Sequence, residues 1–263
     1  MLLTIDIGNT NITLGVFKIR SGKSVACPVK IWRLATNKHK TADEYGIKMR
    51  DLFHYEKMDS EAIEVVAVAS VVPDLDSVFR HVVSKYFNKK AFFVSCDNPK
   101  SVKVHYGNPH EAGADRLANA AAAFELFKKP AVVIDFGTAT TFDCINAKGE
   151  YIGGVITPGP MIAAEALSKK TSKLPMVDIV KPARVIGRST IQCIQSGIYY
   201  GYIGLIREIL KKVLKEMGGK PLVIATGGLA GLISREIKEV KKDVPELTLE
   251  GIRIIWERNK KHL

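Results

Sequence analysis

Short apolar runs separated by small polar residues recur along the chain, and they predict alternating β-strands and α-helices. One of the first runs ends in a short acidic turn, residues 6–11, which reads Asp-Ile-Gly-Asn-Thr-Asn. A second β-rich run, residues 12–17, follows this turn directly. A tight turn between two such runs predicts a β-hairpin that bends at the glycine.

The same arrangement returns near the middle of the chain, where residues 135–140 read Asp-Phe-Gly-Thr-Ala-Thr. Asp6 and Asp135 are 129 residues apart (135 − 6), about half of the 263-residue chain. Backbone N–H groups in such turns can cradle a phosphate, and a nearby carboxylate suits a cation such as Mg²⁺. One D-x-G-x-T alone is usually only a capped hairpin turn. The repetition favours a nucleotide bound between two related domains.

Helical patterns fill much of the chain between these strands. Thr41 and Glu44 form a capping box for a helix to about residue 54, and Pro73 begins a helix to about residue 87. Asn108 and Glu111 predict a further helix N-terminus. The remaining predicted elements are strands at 64–70, 91–95, 151–157 and 221–225, and helices at 117–128, 161–167 and 189–217. This order predicts an α/β protein, with domains at residues 1–115 and 116–263.

The predicted helix at residues 189–217 is long and carries one apolar stripe. Such a stripe predicts a buried helix or a helix–helix seam, and the seam between two copies of the chain is one form of it. The stripe consists of Ile191, Ile194, Ile198, Tyr202, Leu205, Ile209 and Val213.

Composition narrows the class of protein. Hydrophobic residues make up 46% and charged residues 25% of the chain, which is typical of globular proteins. No apolar run approaches the roughly 20 residues of a membrane span, and residues 1–5 are too short for a signal peptide. We therefore expect a cytoplasmic protein that does not enter a membrane. The net charge of +12 comes from scattered lysine doublets, which indicate a basic solvated surface and do not favour nucleic-acid binding.

The four cysteines and six histidines give no sign of a metal site. The cysteines form no C-x-x-C, and without an export signal we expect them to remain reduced thiols. The histidines show no spacing typical of zinc ligands. The sequence therefore does not support a transition-metal site.

Residues 113–116, which read Gly-Ala-Asp-Arg, are the best candidates for catalysis. Asp115 could accept the proton of an attacking hydroxyl, while Arg116 could hold an anionic group of the substrate. Taken alone, such a segment is more often an Asp cap beside an exposed Arg.

Residues 226–228, Thr-Gly-Gly, either let the backbone approach an adenosine or form an ordinary strand-to-helix turn. No G-x-G-x-x-G is present, which argues against a dinucleotide site.

Together these motifs resemble the type III pantothenate kinase family, in order and over essentially the whole chain. The segments that carry the resemblance are residues 6–11, 70–73, 108–109, 113–116, 135–140, 153–154, 158–159, 226–228, 247–252 and 257–259. The resemblance implies the acetate and sugar kinase, Hsp70 and actin superfold: two ribonuclease-H-like α/β domains with a nucleotide cleft. It also implies ATP-dependent phosphorylation of pantothenate, the first step of coenzyme A biosynthesis, with Mg²⁺ accompanying ATP.

The resemblance also implies roles for individual residues. Asp115 is the catalytic base, and Asp135 is a metal ligand that binds K⁺ or NH₄⁺. A homodimer is implied as well, with Thr190 reaching the substrate across its interface. The implied ATP-binding residues are Asp6, Ile7, Gly8, Asn9, Thr10, Asn11, Ile12, Thr13 and Thr138, and the implied pantothenate-binding residues are Tyr106, Gly113, Ala114, Asp115, Arg116 and Thr190.

Three other functions compete with this one. Proteins similar to this family have been described as Bvg accessory factors, so a transcription-linked accessory regulator of the same fold is an alternative that the positive charge keeps open. The sequence shows neither a clear helix-turn-helix nor a localised basic face, as that role would require. A sugar or acetate kinase of the same superfold is the second alternative, but those chains are typically longer. The third is an actin- or Hsp70-like ATPase that moves a partner, which is disfavoured because we expect such proteins to have additional domains.

Overall fold

The strands and helices of the computed structural model, which describes residues 1–20, 23–24 and 26–262, follow the apolar runs of the sequence. The strands are β1 (Leu2–Ile7), β2 (Asn11–Phe17), β3 (Ile19–Arg20), β4 (Lys23–Ser24), β5 (Lys30–Ala35), β6 (Val65–Ser70), β7 (Ala91–Phe93), β8 (Ala131–Phe136), β9 (Ala139–Ile145), β10 (Tyr151–Pro158), β11 (Leu222–Thr226) and β12 (Val240–Asp243). The helices are α1 (Ala42–Tyr55), α2 (Pro73–Phe87), α3 (Ala114–Phe127), α4 (Pro160–Lys170), α5 (Thr190–Met217), α6 (Ala230–Ile233) and α7 (Leu247–Asn259).

Two five-stranded sheets repeat one topology. The first has the order β5-β2-β1-β6-β7 and the second the order β10-β9-β8-β11-β12. In each sheet the central strand pairs antiparallel with the next strand along the chain, β1 with β2 and β8 with β9. Each central strand also pairs in parallel with a later strand, β1 with β6 and β8 with β11. The repeat that the two aspartate turns predict therefore extends to the strand order.

The chain divides into two compact units, and each has its own core. Unit 1 comprises Met1–Lys128, Gly149–Ile152 and Glu246–Leu263, and unit 2 comprises Lys129–Lys148 and Gly153–Pro245. This division differs from the predicted boundary between residues 115 and 116. Helix α3 stays in unit 1 because its buried alanines pack against α7, and Thr248 of α7 donates a hydrogen bond to Asn119 of α3 at 2.8 Å. The C-terminal helix thus returns to unit 1.

Local sequence signals set several helix ends. The capping box at Thr41 and Glu44 is present at the start of α1, and Pro73 occupies the first turn of α2, as predicted. Asn108, in contrast, caps only a short 3₁₀ turn, Pro109–Glu111. A separate helix, α3, begins at Ala114 with Gly113 as its N-cap. The proline signal is therefore satisfied by a single turn, and the longer helix begins three residues after that turn ends.

The apolar stripe predicted on α5 is buried only in part within the chain, and a seam between two copies stays a prediction. Ile194, Ile198 and Tyr202 are buried as predicted, but Ile191 and Leu205 are exposed by 49% and 37%. The buried face continues instead through Tyr199, Ile203, Ile206 and Leu210. The second half of the helix faces the core of unit 2 with a neighbouring side, because Ile203 and Ile206 belong to the core cluster on the second sheet.

Candidate active site

The first aspartate turn is a closed hairpin loop in unit 1. The N–H of Gly8 donates to the carbonyl of Asn11 at 3.0 Å, which closes the turn between β1 and β2. Thr36 holds it from the neighbouring segment: its hydroxyl donates to the carbonyl of Gly8 at 2.6 Å and its N–H to the carbonyl of Thr10 at 2.9 Å. Sequence reasoning missed Thr36, because only the pairing of β5 with β2 brings it there.

The residues predicted to bind ATP in this turn divide into two sets. Asn9, Thr10 and Asn11 are exposed, and Gly8, Asp6 and Thr13 are partly exposed, with Asp6 opposite Thr13 in the β1–β2 register. Ile7 and Ile12 are fully buried in the core of unit 1. Their side chains stabilise the hairpin, so only their backbone groups could contact a ligand.

The segment that carries Asp115 lies at the same edge of the first sheet as this turn. The N–H of Val71 donates to the carbonyl of Ile7 at 3.1 Å, just beyond the paired ends of β1 and β6. The side chain of Val71 in turn faces Gly113, the residue before α3. The start of α3 is therefore placed next to the carboxyl ends of two parallel strands, where α/β proteins commonly bind ligands.

Asp115 lies in the first turn of α3, where its side chain is half-buried. Burial raises the pKa of the Asp115 carboxyl, while the backbone N–H and the positive charge of Arg116 act in the opposite direction. The N–H of Arg116 donates to Oδ1 of Asp115 at 2.7 Å. A carboxylate with a raised pKa is a stronger base than an ordinary aspartate, which suits proton abstraction from a hydroxyl.

Arg116 is buried against two tyrosines of unit 1. Its Nη1 donates to the hydroxyl of Tyr106 at 3.3 Å, and the guanidinium carbon lies 5.3 Å from the centre of the Tyr151 ring. The two tyrosine hydroxyls are 3.1 Å apart, and their rings meet edge to face. This arrangement holds the planar guanidinium in place, a geometry suited to bidentate recognition of a carboxylate.

Tyr151, which sequence reasoning missed, reaches Arg116 because the segments around residues 104 and 151 are paired. Val104 and Tyr151 form an isolated parallel bridge, and the N–H of His105 donates to the carbonyl of Tyr151 at 2.9 Å. The side chain of Glu150 reinforces the pair, since it contacts Lys103 at 3.2 Å and His105 at 2.9 Å. No local signal in the sequence marks this non-local pairing.

The second aspartate turn, in unit 2, is approached by two glycines. A Cβ on Gly159 would lie 2.4 Å from the carbonyl oxygen of Thr138, and the N–H of Gly159 donates to that oxygen at 3.0 Å. Gly227 has a φ of +91°, and a Cβ there would lie 2.4 Å from Oδ1 of Asp135. Asp135 and Thr226 are paired across β8 and β11. Gly227, in the predicted Thr-Gly-Gly segment, therefore brings the backbone close to the Asp135 carboxylate.

Thr140 connects this turn to α5. Its hydroxyl and that of Tyr202 form a short hydrogen bond between two buried side chains. Burial raises the pKa of Tyr202 to about 12; the hydrogen bond with Thr140 opposes this shift and the charge of Asp135 adds to it. Tyr202 therefore stays protonated at neutral pH, and it supports β9 beside the turn as a structural donor or acceptor.

The two remaining predicted residues of unit 2 are exposed. Thr138 lies at the tip of the second turn, and Thr190 is the first residue of α5, directly after its cap Ser189. The other predicted pantothenate residues belong to unit 1, so the structure of unit 2 does not bring Thr190 together with them. A contact between Thr190 and the substrate stays a prediction.

Comparisons with known proteins agree with these motifs. The family model for type III pantothenate kinase matches residues 2–212. A curated type III pantothenate kinase from Endomicrobium trichonymphae is 48% identical over 258 residues, which cover 98% of this chain and 99% of that protein. Further curated relatives of the same name are 45–48% identical over nearly their full length.

Solved structures show the same fold at low sequence identity. A protein described as a conserved Baf family transcriptional activator from Campylobacter jejuni superposes with a TM-score of 0.59 at 17% identity, over 98% of this chain and 99% of that one. The activator of the 2-hydroxyisocaproyl-CoA dehydratase from Clostridium difficile, with bound ADPNP, has a TM-score of 0.55 at 13% identity, over 100% and 97%. The predicted fold class, two ribonuclease-H-like domains of the acetate and sugar kinase, Hsp70 and actin superfold, is confirmed.

The comparisons and the helices also bear on the alternative function as a regulator and on the expectation that the chain does not enter a membrane. The likeness to the Campylobacter activator shows the fold alone at 17% identity, so the transcription-linked regulator is not supported. None of the helices in the described parts of the chain has the length and hydrophobicity that a membrane span requires.

Proposed function

The chain belongs to the type III pantothenate kinase family, and we propose that Asp115, Arg116 and the two aspartate turns carry out its reaction. It is a kinase that phosphorylates pantothenate with ATP, accompanied by a divalent metal, in coenzyme A biosynthesis. One observation carries the assignment of roles. A half-buried aspartate with a raised pKa lies in the first turn of α3, and the next residue is an arginine held by tyrosines.

In the proposed reaction, pantothenate, which accepts the phosphoryl group, binds next to Asp115 in unit 1. The Asp115 carboxylate accepts the proton of the pantothenate hydroxyl while the hydroxyl oxygen bonds to the γ-phosphorus of ATP. The bond from that phosphorus to the bridging oxygen breaks, and ADP leaves with the electron pair. Arg116, with Tyr106 beside it, holds the pantothenate carboxylate through charge-assisted hydrogen bonds. Gly113 and Ala114 belong to the same segment and would help to position pantothenate. In phosphoryl transfer, positioning the substrate accounts for much of the rate enhancement.

The proposed ATP contacts come from both aspartate turns. Exposed Asn9, Thr10 and Asn11 present their backbone and side chains at the first turn, and exposed Thr138 does so at the second. Turns of this kind bind phosphate oxygens through backbone N–H groups. Asp6, near the end of β1, would hold Mg²⁺ through a carboxylate oxygen, the ligand type this ion prefers, and the bound ion would supply positive charge beside the transferring phosphate.

We also assign Asp135 to a monovalent cation, K⁺ or NH₄⁺. The close approach of Gly227 supports this, because a Cβ at that position would lie 2.4 Å from Oδ1 of Asp135, and glycine leaves that space clear beside the carboxylate. Carboxylate and backbone carbonyl oxygens are hard ligands that suit such ions, and a cation there would offset the negative charge of the phosphates.

Exposed apolar side chains around the start of α5 support a homodimer. Val185, Ile186 and Ile191 are exposed by 64%, 83% and 49% within seven positions of the chain, and exposed apolar side chains at one place suit an interface with a second copy. A dimer here would cover the surroundings of Thr190 and could let that residue reach the partner's substrate. Sedimentation equilibrium at micromolar concentration tests the proposal, and a monomer would contradict it.

A cytoplasmic location is proposed because ATP, the phosphate donor, is a cytoplasmic metabolite.

The function is tested by measuring ADP release that depends on pantothenate, with Mg²⁺ and either K⁺ or Na⁺. We expect turnover with pantothenate, and much faster turnover in K⁺ than in Na⁺. Equal rates in the two salts would contradict the monovalent site at Asp135. A folded protein that binds ATP but does not phosphorylate pantothenate in either salt would contradict the proposed reaction.

Arg116→Lys tests the carboxylate contact. Lysine keeps the charge but loses the planar fork, so we expect the KM for pantothenate to rise about 10–100-fold while kcat changes much less. Pantothenol, which has an alcohol in place of the carboxylate, is the control substrate, and the two enzymes should use it about equally well. The same loss with pantothenol would show that Arg116 does not act through the carboxylate.

A further inference from the structure

A cysteine, an aspartate and a histidine converge in unit 1 outside the proposed active-site residues. Sγ of Cys96 lies 3.3 Å from Nδ1 of His110, and the same nitrogen lies 3.7 Å from Oδ2 of Asp97. One ligand atom from each side chain lies within 4.8 Å of the other two. We propose that these three side chains bind a divalent transition-metal ion of the zinc class.

The distances agree with a metal of this class. At the usual Zn–S, Zn–N and Zn–O bond lengths, a tetrahedral ion holds neighbouring donor atoms about 3.4–3.6 Å apart. The two separations from Nδ1 of His110, 3.3 Å to Sγ of Cys96 and 3.7 Å to Oδ2 of Asp97, bracket that range. Thiolate, imidazole and carboxylate are the three side-chain types that ligate zinc, and three protein ligands leave one position for water. Mg²⁺ is a poor alternative, because it prefers oxygen ligands.

Local hydrogen bonds hold the donors in place before any metal binds. The hydroxyl of Ser95 accepts from the N–H of Asp97 at 3.0 Å and donates to its Oδ2 at 3.1 Å. The side-chain oxygen of Asn108 accepts from the N–H of His110 at 3.2 Å. Each turn therefore fixes the backbone of a ligand residue. This limits the rearrangement that binding requires, although the hydrogen bond from Ser95 would weaken when Asp97 binds a metal.

Because of the position of the cluster, a bound metal would link two segments of unit 1. Cys96 and Asp97 follow β7, whereas His110 belongs to the 3₁₀ turn that leads into α3. A bound ion would join these two segments, in which Asp97 and His110 are 13 positions apart (110 − 97) along the chain. It would thereby restrain the approach to Asp115. Sequence spacing alone did not predict the site, because its ligands come from two distant turns.

The test is titration of the full-length, reduced protein with Co²⁺, without ATP, followed by absorption spectroscopy. We expect one Co²⁺ to bind with the visible bands of a tetrahedral ion and a near-ultraviolet thiolate charge-transfer band, and Zn²⁺ to displace it. Cys96→Ser should abolish the charge-transfer band, and His110→Ala should weaken Co²⁺ binding at least about tenfold. Absence of the charge-transfer band in the wild type would overturn the proposal.

Cys193→Ser is the matched control, because Cys193 is an exposed thiol in unit 2. It should keep the Co²⁺ spectrum of the wild type, whereas a band lost with Cys193 instead of Cys96 would refute the assignment. Zn²⁺ should also raise the Tm of the wild type and of Cys193→Ser, but not of Cys96→Ser, because a ligand stabilises only the state that binds it. These readouts do not depend on the kinase reaction, so they distinguish failure of this site from failure of the proposed function.

Discussion

Asp115→Asn is expected to lower kcat about 10²–10⁴-fold while ATP binding stays near the wild-type level. Asparagine keeps the size of the side chain and can still accept the hydrogen bond from the N–H of Arg116. It cannot, however, take the proton of the pantothenate hydroxyl. Steady-state kinetics with pantothenate and a separate ATP-binding titration measure the two effects. A variant with wild-type kcat would remove Asp115 as the catalytic base.

The same variant should have the opposite effect on stability. The folded-state pKa of Asp115 is raised above the ordinary value of 3.8, so the folded state binds this proton more tightly than the unfolded state does. The favourable contribution is complete below pH 3.8 and is lost as the pH rises through the folded pKa. Above that pKa the buried carboxylate opposes folding, and asparagine removes this cost. Thermal melts between pH 4 and 8 should therefore show Asp115→Asn becoming more stable than the wild type as pH rises. A lower Tm for the variant at pH 8 would contradict the raised pKa.

Gly227→Ala is expected to lower kcat/KM about 100-fold and to increase the K⁺ concentration needed for activation. A methyl group there would lie 2.4 Å from Oδ1 of Asp135 and 2.7 Å from the backbone nitrogen of Phe136, so the carboxylate must move. A misplacement of about 1 Å in a catalytic group can reduce a rate by about 10²-fold. The φ of +91° adds strain of about 1–3 kcal/mol for alanine, which should appear as a lower Tm.

Gly228→Ala is the matched control for this prediction. A Cβ on Gly228 has no neighbouring heavy atom within 4 Å, and the backbone there is not left-handed. The control should keep activity, K⁺ dependence and Tm near those of the wild type. Equal losses in both variants would mean that the turn tolerates no side chain, and Asp135 would then have no special part in the effect.

Parts of the site were predictable because their signals are local. The turns at Asp6 and Asp135 combine a strand, a glycine and small polar residues within about ten positions, which determines a hairpin wherever it lies. The capping box at Thr41 is equally local. In contrast, the buried face of α5 was predicted only in part. An apolar stripe shows that a face is available, but the neighbouring sheet decides which residues it covers.

By itself, the sequence determined the two aspartate turns, the order of most strands and helices, and the family to which the motifs belong. Only the tertiary structure decided that Tyr151 contacts Arg116, that Gly227 lies against Asp135, and that Cys96 meets His110. It also decided that α7 returns to unit 1. The physical reason is that turns and caps are formed by neighbouring residues, and their hydrogen bonds are encoded within a few positions. Burial, pKa and contacts between distant segments arise only when separate strands and helices pack together, and no short segment contains that information.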